Sequence, residues 1–164
     1  MFIIAHLPTL VGCLEIWLHD SNGRVCQHQI MHNLIVDTAK TYLGDLLRGA
    51  TGSTILRAMA IGSGSETPVA EDIILRAEVA RLTLPAAEVN TSTQKNLRTG
   101  TTVILRQTFG PNVSAVIREV GLFGNIASPP GAVNSGVLLN RAAIGPFTMG
   151  IENTLTIESR LLLS

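Results

Sequence analysis

The chain has 164 residues, a length that fits one domain able to bury a substantial share of its surface. Apolar residues make up 46% and charged residues only 15%, with twelve basic residues balancing twelve acidic ones. Zero formal charge without a basic stripe argues against a nucleic-acid partner. No run approaches the roughly 18 apolar residues of a membrane span, which argues against a membrane partner. A weakly charged surface points instead to burial against other subunits.

Met1 to Val11 is apolar through Phe2, Ile3, Ile4, Leu7, Leu10 and Val11. It is not a signal peptide, because it lacks a basic start and His6 and Pro8 interrupt it. Residues 1–12 are read as an N-terminal arm that lies along a neighbour, ahead of a single β-rich structural domain over 13–164. Leu14, Ile16 and Leu18 alternate with Glu15, Trp17 and His19, the period of a strand with one buried face. Asp20-Ser21-Asn22-Gly23 supplies a tight turn, since Asn-Gly readily takes positive φ. The return strand runs from Arg24 to Val36. In that register Cys26 lies opposite His19 and far from Cys13, which predicts two free, buried thiols.

Asp37-Thr38 offers cap chemistry, and Tyr42, Leu43, Leu46 and Leu47 form one apolar face. Arg48 suits the negative end of the dipole and Gly49 the stop, so 37–48 is a helix. A buried strand over 55–61 runs into the loop Gly62-Ser63-Gly64-Ser65, which Pro68 prolongs. Asp72 is placed to begin a short second helix through Val79. Leu82 to Leu84 is a strand ended by Pro85, and the polar run 88–100 reads as an exposed connection. Thr101 to Phe109 puts Val103, Leu105 and Phe109 on one face, and Gly110-Pro111-Asn112 breaks it. Val113 to Phe123 returns, and a second loop covers 125–136.

Leu138 to Ala142 and Thr154 to Leu163 supply the partners of the stretch Ile117 to Asn125, around which the chain is organised. The strand core is assigned to Ile117, Val120, Leu122, Phe123, Leu155, Ile157 and Leu161. The expected fold is mainly β, antiparallel and β-sandwich-like, with one clear α-helix near residues 37–48 and a short one near 72–79.

Chemical motifs are weighed against plainer explanations. Gly62-Ser63-Gly64 after a strand has the look of a phosphate loop, but Thr67 stands where a third glycine is needed and no Gly-Lys-Ser/Thr follows. It is read as a plain loop. His6, His19, His28, His32, Cys13 and Cys26 lack the close ligand pairs of a zinc site, and an extended strand separates His28 from His32 by about 13 Å. Glu66, Glu71, Asp72 and Glu78 are read as a solvated face, and no Gly-x-Ser-x-Gly elbow occurs. No catalytic, cofactor-binding or metal residue is assigned, and the chain is read as no enzyme. Arg118 and Glu119 point to opposite sides of one strand. Arg141 and Arg160 are the expected cross-strand partners of Glu119 or Glu158.

The order of these pieces carries a resemblance. His32-Asn33-Leu34-Ile35-Val36 leads into the helix ending Leu46-Leu47. Then come Met59-Ala60-Ile61-Gly62-Ser63-Gly64, Pro68, Asp72 and Leu75-Arg76-Ala77-Glu78-Val79-Ala80-Arg81. Ile117-Arg118-Glu119-Val120-Gly121-Leu122-Phe123 and Leu138-Leu139-Asn140-Arg141-Ala142 follow, before the terminal strand. Over residues 31–163 this resembles tailed-bacteriophage virion proteins, in particular the N-terminal modules of tail-fibre and tail-collar proteins. The resemblance implies a structural module of a virion, assembled in the bacterial host cytoplasm in multiple copies. A trimer or ring would contact tail, baseplate or major capsid proteins.

The sequence shows neither collagen-like repeats nor heptads to build a fibre shaft. The expectation is therefore a tail or baseplate adaptor or fibre-attachment module. The alternatives are a capsid cement (decoration) protein stabilising the head shell and, more weakly, a module that binds host glycans. The interface is expected at Phe2, Ile3, Ile4, Leu7 and Leu10 in the arm and at Trp17 on an edge strand. Pro68, Pro129 and Pro130 add to it from the two loops.

Overall fold

A computed structural model of the chain describes residues 10–47, 56–84, 101–124 and 132–163. They form β1 (Leu10–His19), β2 (Val25–Ile35), α1 (Asp37–Leu47), β3 (Leu56–Gly62), β4 (Glu78–Thr83), β5 (Thr101–Phe109), β6 (Ala115–Gly124), β7 (Val137–Met149) and β8 (Thr154–Leu163). All eight strands join one antiparallel sheet in the order β4-β3-β6-β7-β2-β1-β8-β5. The protein is thus mainly β with a single helix, its sheet curled into a nearly closed barrel. At the seam Gln107 Nε2 donates to the Thr83 carbonyl at 2.8 Å and ties edge strand β5 to edge strand β4.

Curling brings the two halves of the sheet face to face. Leu14, Ile16, Leu18, Leu105, Phe109, Leu155 and Ile157 come from one half. Met59, Ile61, Ile117, Val120, Leu122, Phe147 and Met149 come from the other, and together they make the main core. Leu161 packs against it. The alternation read in the sequence therefore sets the inner face of β1, β5 and β8, as hydrophobic burial at period 2 requires.

The join between β7 and β2 is short, pairing only Leu34 with Arg141 and Ile35 with Asn140. Beyond it β7 bends at Gly145 (φ 66°), and Pro146 has no N–H to offer. Side chains span the gap instead: Gln29 Oε1 accepts from the Gly145 N–H at 2.9 Å, and Gln27 Nε2 donates to the Pro146 carbonyl at 3.1 Å.

Several expectations change. Residues 72–77 form no helix, because the Asp72 carboxylate, which would have capped one, accepts from Val69 N–H and two arginines instead. β4 starts at Glu78, earlier than Leu82. β1 is not an edge strand: it pairs with β2 and β8 along its length and takes in Leu10 to Gly12 from the stretch read as an arm. The β1–β2 register slips between Leu18 and His19, so Val25 and not Cys26 faces His19. Both cysteines are free, but Cys26 is exposed and Cys13 half-buried. At the helix start Thr38 does not cap; its hydroxyl donates to the Leu138 carbonyl and docks α1 on β7. Tyr42 is buried on the helix's inner face beside Leu139. Arg48, Gly49 and the connection 88–100 lie outside the described residues.

Candidate functional site: a strapped face and a bare face

The outer surface of the curled sheet divides into two halves. Over β3 it is built of the small residues Ala58, Ala60 and Gly62, over β6 of Glu119, Gly121 and Phe123, and the segment 63–77 crosses it as a strap. Ala58 and Ala60 form a second buried cluster with Val36, Leu75, Phe123 and Leu138. Leu75, fully buried, is the strap's anchor. Gly121 makes room for it, since a Cβ there would lie 3.0 Å from Leu75 Cδ2 and 2.8 Å from Leu138 Cδ1.

Charged groups hold the strap down. Glu119, on β6, accepts from the backbone N–H groups of Gly64 at 3.2 Å, Arg76 at 3.1 Å and Ala77 at 2.8 Å. The glycines of Gly62-Ser63-Gly64 allow this approach: a Cβ at either would stand 2.6 Å from Glu119 Oε1. Of the motif's own amides only that of Gly64 donates to this carboxylate, while the Ser63 N–H donates to the Ala77 carbonyl. Arg141, on β7, pairs with Glu119 at 2.9 Å and Asp72 at 2.8 Å, and donates to the Glu66 carbonyl at 3.1 Å. The side chains of Arg141, Asp72 and Glu119 are 0%, 1% and 0% exposed.

Burial works against ionisation of Asp72, but the Val69 N–H and the Arg141 guanidinium outweigh it and hold its carboxyl below the usual range. Burial likewise opposes the charge of Arg141, yet hydrogen bonds to Asp72 and Glu119 raise its pKa further. The loop 132–136 clamps the strap from the far side. Asn134, at φ 56°, accepts from the Leu75 N–H and donates to the Leu75 carbonyl. Glu78 accepts from the Asn134 N–H at 2.9 Å and from Arg81, whose guanidinium lies 4.1 Å over the Phe123 ring.

The solvated acidic face read from Glu66, Glu71, Asp72 and Glu78 is therefore half right. Glu66 and Glu71 are exposed, while Asp72 and the Glu78 side chain are buried, because both face arginines under the strap. Arg141 pairs with Glu119 across β6 and β7, as expected, whereas Arg160 meets Glu158 along its own strand and crosses instead to Glu15; the cross-strand partner of Glu158 is Arg106. Asn134 and the Asp72–Arg141 contact were not visible in the sequence. Both join segments about 60 to 70 positions apart, which no spacing rule covers.

The other half, over β2, β1, β8 and β5, carries no strap among the described residues. Glu15 stands directly opposite Glu158, a repulsive arrangement alone. Arg160 resolves it by bonding both, at 3.1 Å to Glu15, and Arg106 adds a second contact to Glu158 at 3.0 Å. Burial pushes the Glu158 carboxyl up, but hydrogen bonds from Arg106 and Arg160 outweigh it and keep it low. The Glu158 hydrogen bond in turn raises Arg160. His28 contacts Glu15 at 3.0 Å and stacks on Trp17, its cross-strand neighbour.

Of the expected interface residues, Trp17 is half-buried in the middle of this bare face and Pro68 is half-buried in the strap. Leu10 opens β1 opposite Leu163. Phe2, Ile3, Ile4, Leu7, Pro129 and Pro130 lie outside the described residues. Among those described, no three His, Cys, Asp or Glu side chains converge as metal ligands would, and no helix is long and apolar enough to cross a membrane. No protein-family profile, curated protein or solved structure matches this chain.

Proposed function

We propose that this chain is a non-enzymatic structural protein of a tailed-phage virion, a tail or baseplate adaptor or fibre-attachment module that works in several copies. The observation that carries the assembly role is the outer side of the strap. Ile73, Ile74 and Val69 are 61%, 38% and 43% exposed on a segment whose backbone is pinned by Glu119, Asp72 and Asn134. Val133, beside Asn134, is 65% exposed. Large aliphatics on a rigid, pre-ordered segment dock at low entropic cost, each gaining about 25 cal/mol per Å2 of apolar area removed from water. The virion assignment rests on the sequence resemblance. Its motifs, the Gly62-to-Gly64 loop, Leu75-Arg76-Ala77, Glu119 and Arg141, are the segments that meet under the strap.

A trimer or ring of this module against tail or baseplate proteins uses the strap as a repeated contact. The deciding experiment is the copy number in purified virions, by quantitative mass spectrometry against the major capsid protein. A ratio of a few per cent supports the tail or baseplate role. A ratio near one to one, or one to three, replaces it with capsid cement, and absence from the particle overturns the virion reading. In the same system Ile73→Asp is expected to leave the melting temperature unchanged and to lower incorporation into particles.

A further inference from the structure

We propose that copies of this chain assemble head to tail, the strap of one copy seated on the bare face of the next. The contact presupposes the assembly role proposed above and supplies the strap's partner. Most of the large exposed aliphatics among the described residues fall into two groups. Val69, Ile73, Ile74 and Val133 form the first, on and beside the strap. Val11, Ile30, Leu34 and Leu162 form the second, on the outer side of β1, β2 and β8. Ile30, 60% exposed, stands opposite Glu15, and Val11 stands opposite Leu162.

Charge decides how these patches meet. The strap exposes Glu66 and Glu71, which make no ion pair among the described residues, while its Arg76 is already bonded to Asp72. On the bare face the order is reversed. Glu15 and Glu158 keep only 17% and 5% of their side chains exposed, against 63% and 45% for Arg106 and Arg160. The exposed layer there is guanidinium, with the carboxylates beneath it. Strap against strap would set carboxylates on carboxylates, and bare face against bare face would set guanidinium on guanidinium. Strap against bare face brings opposite charges together and removes aliphatics from water on both sides.

The fold fixes the geometry of such an assembly. The strap lies over β3 and β6, and the aliphatics of the bare face centre on β1. From β6 to β1 is three steps round the eight-stranded sheet, more than a third of a turn. Two different patches that far apart make a contact that repeats in one direction and closes as a ring. A trimer needs its two contact faces about a sixth of a turn apart, so this spacing gives a ring of more than three copies.

The full chain and two variants test the contact by size-exclusion chromatography with light scattering. Wild type is expected to run as a species of more than three copies. Ile73→Asp spoils only the strap and Ile30→Asp only the bare face, so each should run as a monomer with unchanged circular dichroism. Leu162→Asp repeats the bare-face test should Ile30→Asp fail to fold. Mixed one to one, the strap and bare-face variants should form dimers and stop there, because one intact strap meets one intact bare face. A monomeric wild type, a wild-type dimer or trimer, oligomers that persist in either variant, or a mixture that stays monomeric would overturn the contact. None of these results touches the virion copy number, whose failure would in turn leave a ring in solution standing.

Discussion

The two halves of the outer surface use the same chemistry to opposite effect. Each has carboxylates opposed by arginines across neighbouring strands. Under the strap, Glu119, Asp72 and Arg141 are shut away from water, with every partner supplied by protein. On the bare face Arg106 and Arg160 keep 63% and 45% of their side chains exposed, and only the carboxylate ends are covered. The first network is a lock whose removal leaves a buried charge unpaired. The second is a screened surface lattice, in which each pair contributes little. Covering, and not the pairing itself, sets the energetic weight.

That contrast can be broken most sharply at Arg141. Arg141→Ala strands two buried carboxylates and should cost about 3–5 kcal/mol in denaturant unfolding. Arg106→Ala on the bare face should stay within about 1 kcal/mol. Equal losses would show that the strap adds nothing to the pairing. Leu75→Ala removes the apolar anchor while sparing the charges, and a loss of about 2–5 kcal/mol is expected. Hydrogen exchange at the Gly64, Arg76 and Ala77 amides should speed up in both strap variants and not in Arg106→Ala.

Gly64→Ala forces a Cβ to within 2.6 Å of Glu119 Oε1 and Arg76 Cβ, and should cost about 1–3 kcal/mol. Gly44→Ala, in α1 with open space around it, should instead stabilise by about 1 kcal/mol. The smallest effect is acid dependence. Asp72 and Glu158 both have folded pKa values below their ordinary ones, so each contributes stability above its unfolded value of about 4. That stability is lost as pH falls through the lower folded value. The melting temperature should hold from neutral pH to about pH 5 and drop below about pH 4. Asp72→Asn and Glu158→Gln should each flatten part of that drop.

Much of the architecture was legible where one periodicity and one turn decide it. Leu14, Ile16 and Leu18 alternate and face the core, Asn22-Gly23 makes the hairpin with Gly23 at φ 76°, and Thr154 to Leu163 is β8. The helix was legible for the same reason, since capping chemistry and an apolar face lie within one short window. The segment 72–79 misled because Asp72 has local helix-cap chemistry, while Arg141, 69 positions away, supplies a stronger partner. Trp17 was placed on an edge because hairpin logic gives β1 one neighbour; the second, β8, comes from the far end of the chain.

The sequence by itself determined most of the strands, the helix and the inward alternation along β1, β5 and β8, because each follows from local pattern. Only the tertiary structure decided that the sheet curls into a nearly closed barrel. It also decided that Gly62 and Gly64 bend a strap around Glu119, and that one face is locked while the other carries no strap among the described residues. Those features depend on which distant segments exclude water from one another, and burial of that kind has no signature in the order of residues.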